Sequence, residues 1–173
     1  MSGTARVRLA GPGDVPALAG LRRADGASPT AEPDVEPDFE RRFAAWAAET
    51  AERRQTWVAE VAREPVGMLS VLRFDRMPAP GVPEQTWGYV SSVFVRPEHR
   101  GSGIAAALVA AAVQHAQQAG WVRLLLSPSP RSVPVYTRAG FDRADGHLVL
   151  ALGDDERTRA APRIEAIARA RTP

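Results

Sequence analysis

The stretch VRPEHRGSGIAAAL, residues 95–108, decides how the rest of the sequence is interpreted. Two glycines, Gly101 and Gly103, enclose a serine, and an alanine-rich run with helical spacing follows them. The N-terminus of a helix exposes unpaired N–H groups and a partial positive charge, and glycine lets an anion approach those groups closely. Three interpretations of this turn are therefore open: a dinucleotide site, a coenzyme A pyrophosphate site, or a tight turn without a ligand.

The dinucleotide interpretation is the weakest of the three. Gly101, Gly103 and Ala106 satisfy the spacing G-x-G-x-x-G/A. That fingerprint normally opens a domain directly after its first strand, with an acidic residue roughly 20 positions further on. Here the turn lies late in the chain, and residues 121–126 read WVRLLL. The choice between the other two interpretations depends on the surrounding sequence.

Composition indicates one globular domain. The chain has 173 residues, of which 45% are hydrophobic and 24% charged, and its formal net charge is +2. The arginines are scattered and are not interleaved with aromatic residues, so we expect no nucleic-acid partner. No stretch approaches the roughly 18 apolar residues of a membrane span, and the first residues lack the pattern of a signal peptide. The sequence thus predicts a cytoplasmic protein without a membrane partner.

The residue types that are missing exclude several chemistries. The sequence contains no cysteine, which excludes disulfides, thiolate metal sites and a cysteine nucleophile. It also contains no lysine, which excludes a Schiff-base enzyme and a lysine-bearing P-loop. His99, His115 and His147 lie far apart and show no metal-ligand spacing, so we expect no metal site.

Hydrophobic periodicity predicts the order β-α-α-β-β-β-α-β-α-β. The predicted strands are 5–10, 56–62, 66–74, 86–95, 121–126 and 141–152, and the predicted helices are 15–24, 39–47, 101–119 and 133–139. Two proline-rich loops, 25–37 and 77–84, interrupt this order. The helix after Gly101 joins two strands that should be parallel, and the strands 56–62 and 66–74 should form an antiparallel hairpin. The predicted fold class is α/β, with a mixed, mostly antiparallel central sheet flanked by helices.

The first two helices carry specific expectations. Asp14 and Asp38 each precede a helical pattern and are predicted as N-caps. In the second helix the apolar residues Phe39, Phe43, Trp46 and Ala47 recur at helical spacing, and we expect them in the core. No internal repeat divides the chain. We therefore predict one domain over residues 1–153, followed by a charged tail, 154–173, that is helical or disordered.

Three motifs in the correct order resemble those of the GCN5-related N-acetyltransferases, or GNAT family. The stretch from Val95 to Ala105 resembles the central motif of that family, and Arg100, Gly103 and Ala105 match its R-x-x-G-x-G/A signature. The hairpin WVAEVAREPVG has a glycine, Gly67, at the usual place. The stretch YTRAGF, residues 136–141, resembles the closing Y-x-x-x-G-F. The resemblance covers roughly residues 5–150 and implies the fold of the acyl-coenzyme A N-acyltransferases.

The resemblance also implies a set of site residues. Tyr136 matches the tyrosine that donates a hydrogen bond toward the coenzyme A sulfur, so it is the candidate catalytic residue. Ser129 stands where many relatives have an asparagine that contacts the coenzyme. The cofactor-binding positions implied by the resemblance are Val93, Phe94, Val95, Arg100, Gly101, Ser102, Gly103, Ile104, Ala105, Ala106 and Ser129.

The activity implied by the resemblance is transfer of an acetyl group from acetyl-coenzyme A to a primary amine by direct attack in a ternary complex. The acceptor, a small molecule or a peptide, is not identified. Dimers are common in the family, but the sequence fixes no interface. Two alternatives remain: a non-catalytic acyl-coenzyme A binding or regulatory module, and an enzyme that acylates oxygen or transfers a longer chain.

No base for the amine proton can be assigned from the sequence. Many relatives place a glutamate on the fourth or fifth strand, but this sequence has no carboxylate there. The candidates that remain are Asp75, Glu84 and His147, or a water relay through Ser91 or Ser127.

Overall fold

The computed structural model describes residues 5–26 and 37–144. Its helices and strands lie in a compact unit that ends at Phe141. In chain order they are β1 (Arg6–Leu9), α1 (Val15–Gly26), α2 (Phe39–Thr50), β2 (Arg54–Val61), β3 (Glu64–Asp75), β4 (Thr86–Val95), α3 (Ile104–Gln118), β5 (Leu124–Leu126) and α4 (Val133–Arg138). Short 3-10 turns cover Pro12–Asp14, Ala51–Arg53 and Pro97–His99.

Some predicted segments lie outside the described residues. The predicted last strand begins at 141, but residues 141–144 form neither helix nor strand, and the structure does not describe 145–173. That range also contains the predicted tail 154–173. Most of the predicted loop 25–37 falls on the undescribed residues 27–36, while its first two residues belong to α1.

The sheet confirms the predicted fold class. It has five strands in the order β1-β2-β3-β4-β5. Each of the first four is antiparallel to its neighbours among them, and β5 is parallel to β4. The predicted hairpin is formed by β2 and β3. Its two-residue turn places Ala62 and Arg63 at φ values of 50° and 70°. Positive φ at both positions is typical of the turn whose twist matches that of paired strands.

Helices cover both faces of this sheet. Side chains of α3, with Leu108 fully buried, pack on one face against Trp57, Leu69 and Val71. Leu18 and Leu21 of α1 pack on the other face against Met68 and Phe94. The burial of these apolar side chains is the main interaction that holds the sheet and its helices together.

Asp14 and Asp38 directly precede α1 and α2 as predicted, but neither carboxylate accepts a hydrogen bond from an N–H of its helix. Asp14 ends the 3-10 turn before α1, and its carboxylate accepts hydrogen bonds from Arg8 and from the N–H of Gly11. The hydrogen bond from Arg8 lowers the pKa of Asp14 to about 2. Asp38 does stand at the cap position of α2, but its carboxylate pairs with Arg41 rather than with a helix N–H.

The prediction that the α2 aromatics lie in the core was also wrong. Helical periodicity does place Phe39, Phe43 and Trp46 in a row, with ring centroids 5.9 Å and 5.2 Å apart. No residue of α2 is fully buried, and 39% of Trp46 is exposed. The reason is that α2 packs against α1, and Phe43 only borders the apolar cluster beneath α1. The aromatic side chains of α2 are therefore only partly covered.

Other boundaries shifted without changing the topology. The predicted helix 101–119 begins later, at Ile104, because Gly101 and Gly103 both have positive φ. The predicted strand 121–126 is reduced to Leu124–Leu126, since Trp121 packs against the core before the strand begins.

A glycine in β4 allows β5 and the residues before it to approach the sheet. A Cβ atom at Gly88 would lie 2.6 Å from Trp121 Cζ3 and 2.7 Å from both Leu124 Cδ2 and Val71 Cγ1. We expect Gly88→Ala to lower the free energy of unfolding by about 1–3 kcal/mol, the usual cost of overpacking. Urea denaturation measures this change.

The matched control for this substitution is Gly20→Ala. Gly20 lies within α1, and a Cβ there would meet nothing within 4 Å. Because alanine favours a helix over glycine, this variant should be as stable as the wild type or more so. A Gly88→Ala variant as stable as the control would contradict the close approach seen in the structure.

Candidate active site

The sheet opens between β4 and β5. The two strands pair only through Gly88–Leu124, Tyr89–Leu125 and Val90–Leu126, whereas β4 continues to Val95. At the same point the β3–β4 ladder shifts register, so that Ser91 is the extra residue of a bulge between Val90 and Ser92. Bulges bend a strand and increase its twist. Among the described residues, no strand pairs with residues 91–95 on the β5 side.

This opening leaves one backbone edge without a strand partner at three of the positions that the resemblance implies as cofactor-binding. A strand paired on one side leaves part of its N–H and C=O groups without a strand partner. Val93, Phe94 and Val95 form the end of β4 beyond the opening. Their side chains are occupied elsewhere, since Phe94 packs beneath α1 and Val95 packs beneath α3. Only their backbone groups can therefore serve a ligand at this edge.

The glycine turn connects β4 to α3. After the 3-10 turn Pro97–His99, the φ angles of Gly101 and Gly103 are +78° and +84°. Residues with a Cβ atom adopt this region at a cost of about 1 kcal/mol or more, so the path of the chain favours glycine at both positions. The turn directs the chain from the sheet edge into the first residue of α3, Ile104.

A row of N–H groups at this turn has no protein acceptor. The first hydrogen bond of α3 runs from Ala107 N to Gly103 O, at 3.0 Å. Within the described part of the chain, the N–H groups from Gly101 to Ala106 donate to no protein acceptor. A Cβ atom at Gly101 or Gly103 would meet nothing within 4 Å. The first turn of α3 contains no acidic residue. These features are typical of a phosphate-binding helix start.

The side chains of the turn hold its shape. Arg100 Nε donates to the carbonyl of Val95 at 3.0 Å, and its guanidinium lies 6.0 Å from the centre of the Phe94 ring. Ser102 Oγ donates to the carbonyl of His99 at 2.6 Å. The hydrogen bonds of Arg100 and Ser102 therefore stabilise the conformation of the turn. The backbone N–H groups are left as the surface that an anion can bind.

Tyr136 lies on α4 with a hydroxyl group that is available. Its ring is half-buried and meets Phe141 edge to face, with the centroids 5.7 Å apart. No hydrogen bond of the hydroxyl is seen in the described residues, and the hydroxyl is not one of the buried atoms that lack a partner. Burial raises the pKa of Tyr136 above its ordinary value. The group is thus protonated near neutral pH and can donate a hydrogen bond.

Ser129 is less available than the sequence suggests. Its Oγ lies 3.0 Å from Ser132 Oγ, and its carbonyl accepts hydrogen bonds from both the N–H and the hydroxyl of Ser132, each at 2.9 Å. These bonds form the turn that begins α4. Ser129 is exposed, so its hydroxyl can still exchange this local partner for a ligand.

The candidates for the amine base differ in their surroundings. Asp75 accepts hydrogen bonds from Thr86 and Arg73, which lower its pKa and make it a weaker base. Glu84 is exposed in the loop after β3, and His147 lies outside the described residues. Ser127 lies beside the opening, because its Oγ is 3.2 Å from the hydroxyl of Tyr89 on β4.

The other serine of the proposed relay, Ser91, belongs to a polar cluster that the sequence analysis missed. Arg54, at the start of β2, donates from one nitrogen, Nη1, to Ser91 Oγ at 2.8 Å and to Ser70 Oγ at 3.1 Å. Thr56 Oγ1 lies 3.1 Å from Ser70 Oγ. The only sequence signal was the alternation of polar residues along β2. That pattern does not show which residues of the neighbouring strands these side chains will contact.

Two further observations concern the described residues. No group of three or more histidine and acidic side chains there is arranged to hold a metal ion. Nor does this part of the chain include a helix that has both the length and the apolar character to cross a membrane.

The fold is similar to that of several solved acetyltransferases. It is similar to a predicted acetyltransferase from Clostridium acetobutylicum, solved with acetyl-CoA, at 22% identity and a TM-score of 0.68, over 86% of this chain and 97% of that chain. It is similar to a ribosomal-protein-alanine N-acetyltransferase from Brucella melitensis at 19% identity and a TM-score of 0.65, over 87% of this chain and 99% of that chain.

A third similar structure is an aminoglycoside acetyltransferase from an uncultured soil metagenomic sample, in complex with sisomicin. It shares 16% identity and a TM-score of 0.64, over 86% of this chain and 97% of that chain. The sequence model of the acetyltransferase (GNAT) family matches residues 20–141, which is more than half of the chain. The chain therefore belongs to the GNAT family of acetyltransferases.

Proposed function

We propose that this protein transfers an acetyl group from acetyl-coenzyme A to a primary amine, by direct attack in a ternary complex. The observation that carries the proposal is the row of N–H groups from Gly101 to Ala106, which lies beside the open edge of β4. Membership of the GNAT family supplies the class of reaction. The available hydroxyl of Tyr136 supports catalysis rather than binding alone.

The residues at the glycine turn fit the donor. A pyrophosphate placed at the start of α3 would accept hydrogen bonds from the N–H groups of residues 101–106, and the helix dipole favours its charge. The backbone of Val93, Phe94 and Val95 would pair with the amide groups of the pantetheine arm, in the way an added strand pairs with a sheet edge. Ser129 would add a hydroxyl contact.

The proposed reaction needs few groups of the protein. Acetyl-coenzyme A supplies an activated acyl group when it is bound. The amine nitrogen attacks the thioester carbon, a C–N bond forms, and the C–S bond breaks. The amine loses one proton to water, and the departing sulfur receives one from the hydroxyl of Tyr136, which solvent then reprotonates. The main contribution of the fold is to hold both substrates in reacting orientation.

The test of this proposal measures release of free thiol from acetyl-coenzyme A with a panel of primary amines, and mass spectrometry of the products. We expect release that depends on the acceptor, with an added mass of one acetyl group. Binding of coenzyme A is measured in parallel by calorimetry. If coenzyme A binds but no acceptor causes thiol release, the protein is an acyl-coenzyme A binding module and not an enzyme. If coenzyme A does not bind and no thiol is released, both proposals are refuted.

A further inference from the structure

The charge of Arg54 is held at the point where the sheet opens. Its Nη1 group donates to Ser91, the bulge residue of β4, and to Ser70 on β3. Its guanidinium carbon lies 4.5 Å from the centre of the Trp46 ring on α2. These three contacts hold a planar cation between the sheet and the Trp46 ring, at the bulge after which β4 continues without β5.

No carboxylate of the described residues neutralises this cation. Arg8, by contrast, is paired with both Asp14 and Glu60. Arg54 is half-buried, and burial lowers its pKa, with a smaller effect from the charge of Arg53. Withdrawing a cation from water is unfavourable unless an anion or several hydrogen bonds compensate for the lost hydration. The site therefore holds positive charge that an entering anion would stabilise.

One edge of the guanidinium is left without a partner. Nη1 is used by the two serines, while Nε is buried and has no hydrogen-bond partner in the described residues. Nη2 donates to no described acceptor either. Nε and Nη2 are the pair of donors that binds a carboxylate side-on through two parallel hydrogen bonds. A carboxylate placed there would satisfy both groups and the charge at once.

We propose that the acceptor is an amino acid or a similar amine that carries a carboxylate, and that Arg54 binds this carboxylate. The inference rests on the proposed function, since it concerns the acceptor of the same reaction. Trp46, which lies against the guanidinium and is partly exposed, offers an apolar surface for the acceptor's side chain. A polycationic amine would meet repulsion at this site.

The first test is a binding measurement that does not require turnover. N-acetyl amino acids with leucine, phenylalanine, methionine and glycine side chains are titrated into the coenzyme A-saturated protein, each beside its carboxamide analogue. We expect the best acid to bind at least tenfold more tightly than its amide. In Arg54→Gln the acid and the amide should bind equally, and Arg54→Lys should restore part of the preference.

Arg53→Gln is the matched control, because it removes the same charge from the preceding, exposed residue. The Arg53→Gln variant should keep the wild-type ratio between the dissociation constants of the acid and of its amide. A merely structural Arg54 would weaken the binding of acid and amide alike and leave their ratio unchanged. If no acid of the panel binds more tightly than its amide, or if the ratio survives in Arg54→Gln, the inference is overturned.

The second measurement compares thiol release with amino acids and with their amides as acceptors. We expect the acid to have the higher kcat/KM in the wild type and the two to be equal in Arg54→Gln. Equal kcat/KM for both in an active wild type overturns the carboxylate site and leaves the acetyltransferase proposal intact. If no acceptor causes thiol release, the acetyltransferase proposal is refuted. The ratio between the dissociation constants of acid and amide still decides whether Arg54 binds a carboxylate.

Discussion

Replacing Tyr136 by phenylalanine should lower kcat for acetyl transfer by about 100-fold or more, the usual contribution of a positioned proton donor. The dissociation constant of coenzyme A should change by less than about twofold, because the ring and its contact with Phe141 are kept. Steady-state kinetics with a saturating acceptor gives kcat, and calorimetry gives the dissociation constant.

The pH profile of the wild type offers an independent check of the same role. Burial raises the pKa of Tyr136, so its hydroxyl stays protonated through the neutral range. The proton donor is lost only as the pH rises through this elevated pKa, and any alkaline fall in kcat caused by Tyr136 must therefore lie above pH 10, its ordinary value. Tyr136→Phe should remove that fall.

Tyr89→Phe is the comparison variant for this experiment. It deletes the same atom from the other described tyrosine, whose hydroxyl is engaged with Ser127 at 3.2 Å. Because a single hydrogen bond of this kind is worth about 1 kcal/mol, we expect less than about a tenfold loss of kcat. If Tyr136→Phe turned over at the wild-type rate, or no more slowly than Tyr89→Phe, Tyr136 would have no part in the proton transfer.

Gly103→Glu should weaken the binding of coenzyme A by at least about 100-fold. The space beside this glycine is open, with nothing within 4 Å of an added Cβ, so the fold has room for the side chain. The carboxylate would lie where the N–H groups of residues 101–106 meet the phosphates. Like charges at this distance repel by about 1–4 kcal/mol, and the side chain also fills the space that the pyrophosphate needs. Calorimetric titration with coenzyme A measures the loss.

Gly120→Glu separates this effect from backbone strain. Gly120 follows the C-terminal end of α3, has a φ of +68°, and likewise has nothing within 4 Å of an added Cβ. Both variants place a glutamate in the left-handed region, so both should lose similar stability, about 1–2 kcal/mol. Only Gly103→Glu should lose affinity for coenzyme A. Equal affinities in the two variants would show that the start of α3 does not bind the phosphates.

The strands and the glycine turn were predictable because their signals are local. The strand patterns of 56–62 and 66–74 defined the hairpin of β2 and β3, although its turn lies at Ala62–Arg63 and not at 63–65 as predicted. The alanine-rich run ending at Gly120 defined α3, and the requirement that a helix cross between two strands made β5 parallel to β4. Tyr136 was identified through the family motif, and the structure adds that its hydroxyl has no partner among the described residues.

The features that were missed depend on contacts between distant segments. Periodicity placed Phe39, Phe43 and Trp46 on one face of α2, but it carries no information on what covers that face, and their burial was overestimated. The bulge at Ser91 lies in a continuous strand pattern without glycine or proline at that position. The sequence does not distinguish Arg54 from a surface arginine. Its two serine partners lie 16 and 37 residues further along the chain, and no local pattern connects them to it.

The edge of β4 that β5 leaves open beyond Val90 also couples ligand binding to folding. A ligand that lies along residues 91–95 binds the folded chain alone, so each rise in its concentration shifts the folding equilibrium toward the native state. Without that ligand, the same backbone edge offers N–H and C=O groups to other chains, and such edges promote association. Under the proposed function, a rise in donor concentration would therefore raise the stability of the folded protein as well as its rate of turnover.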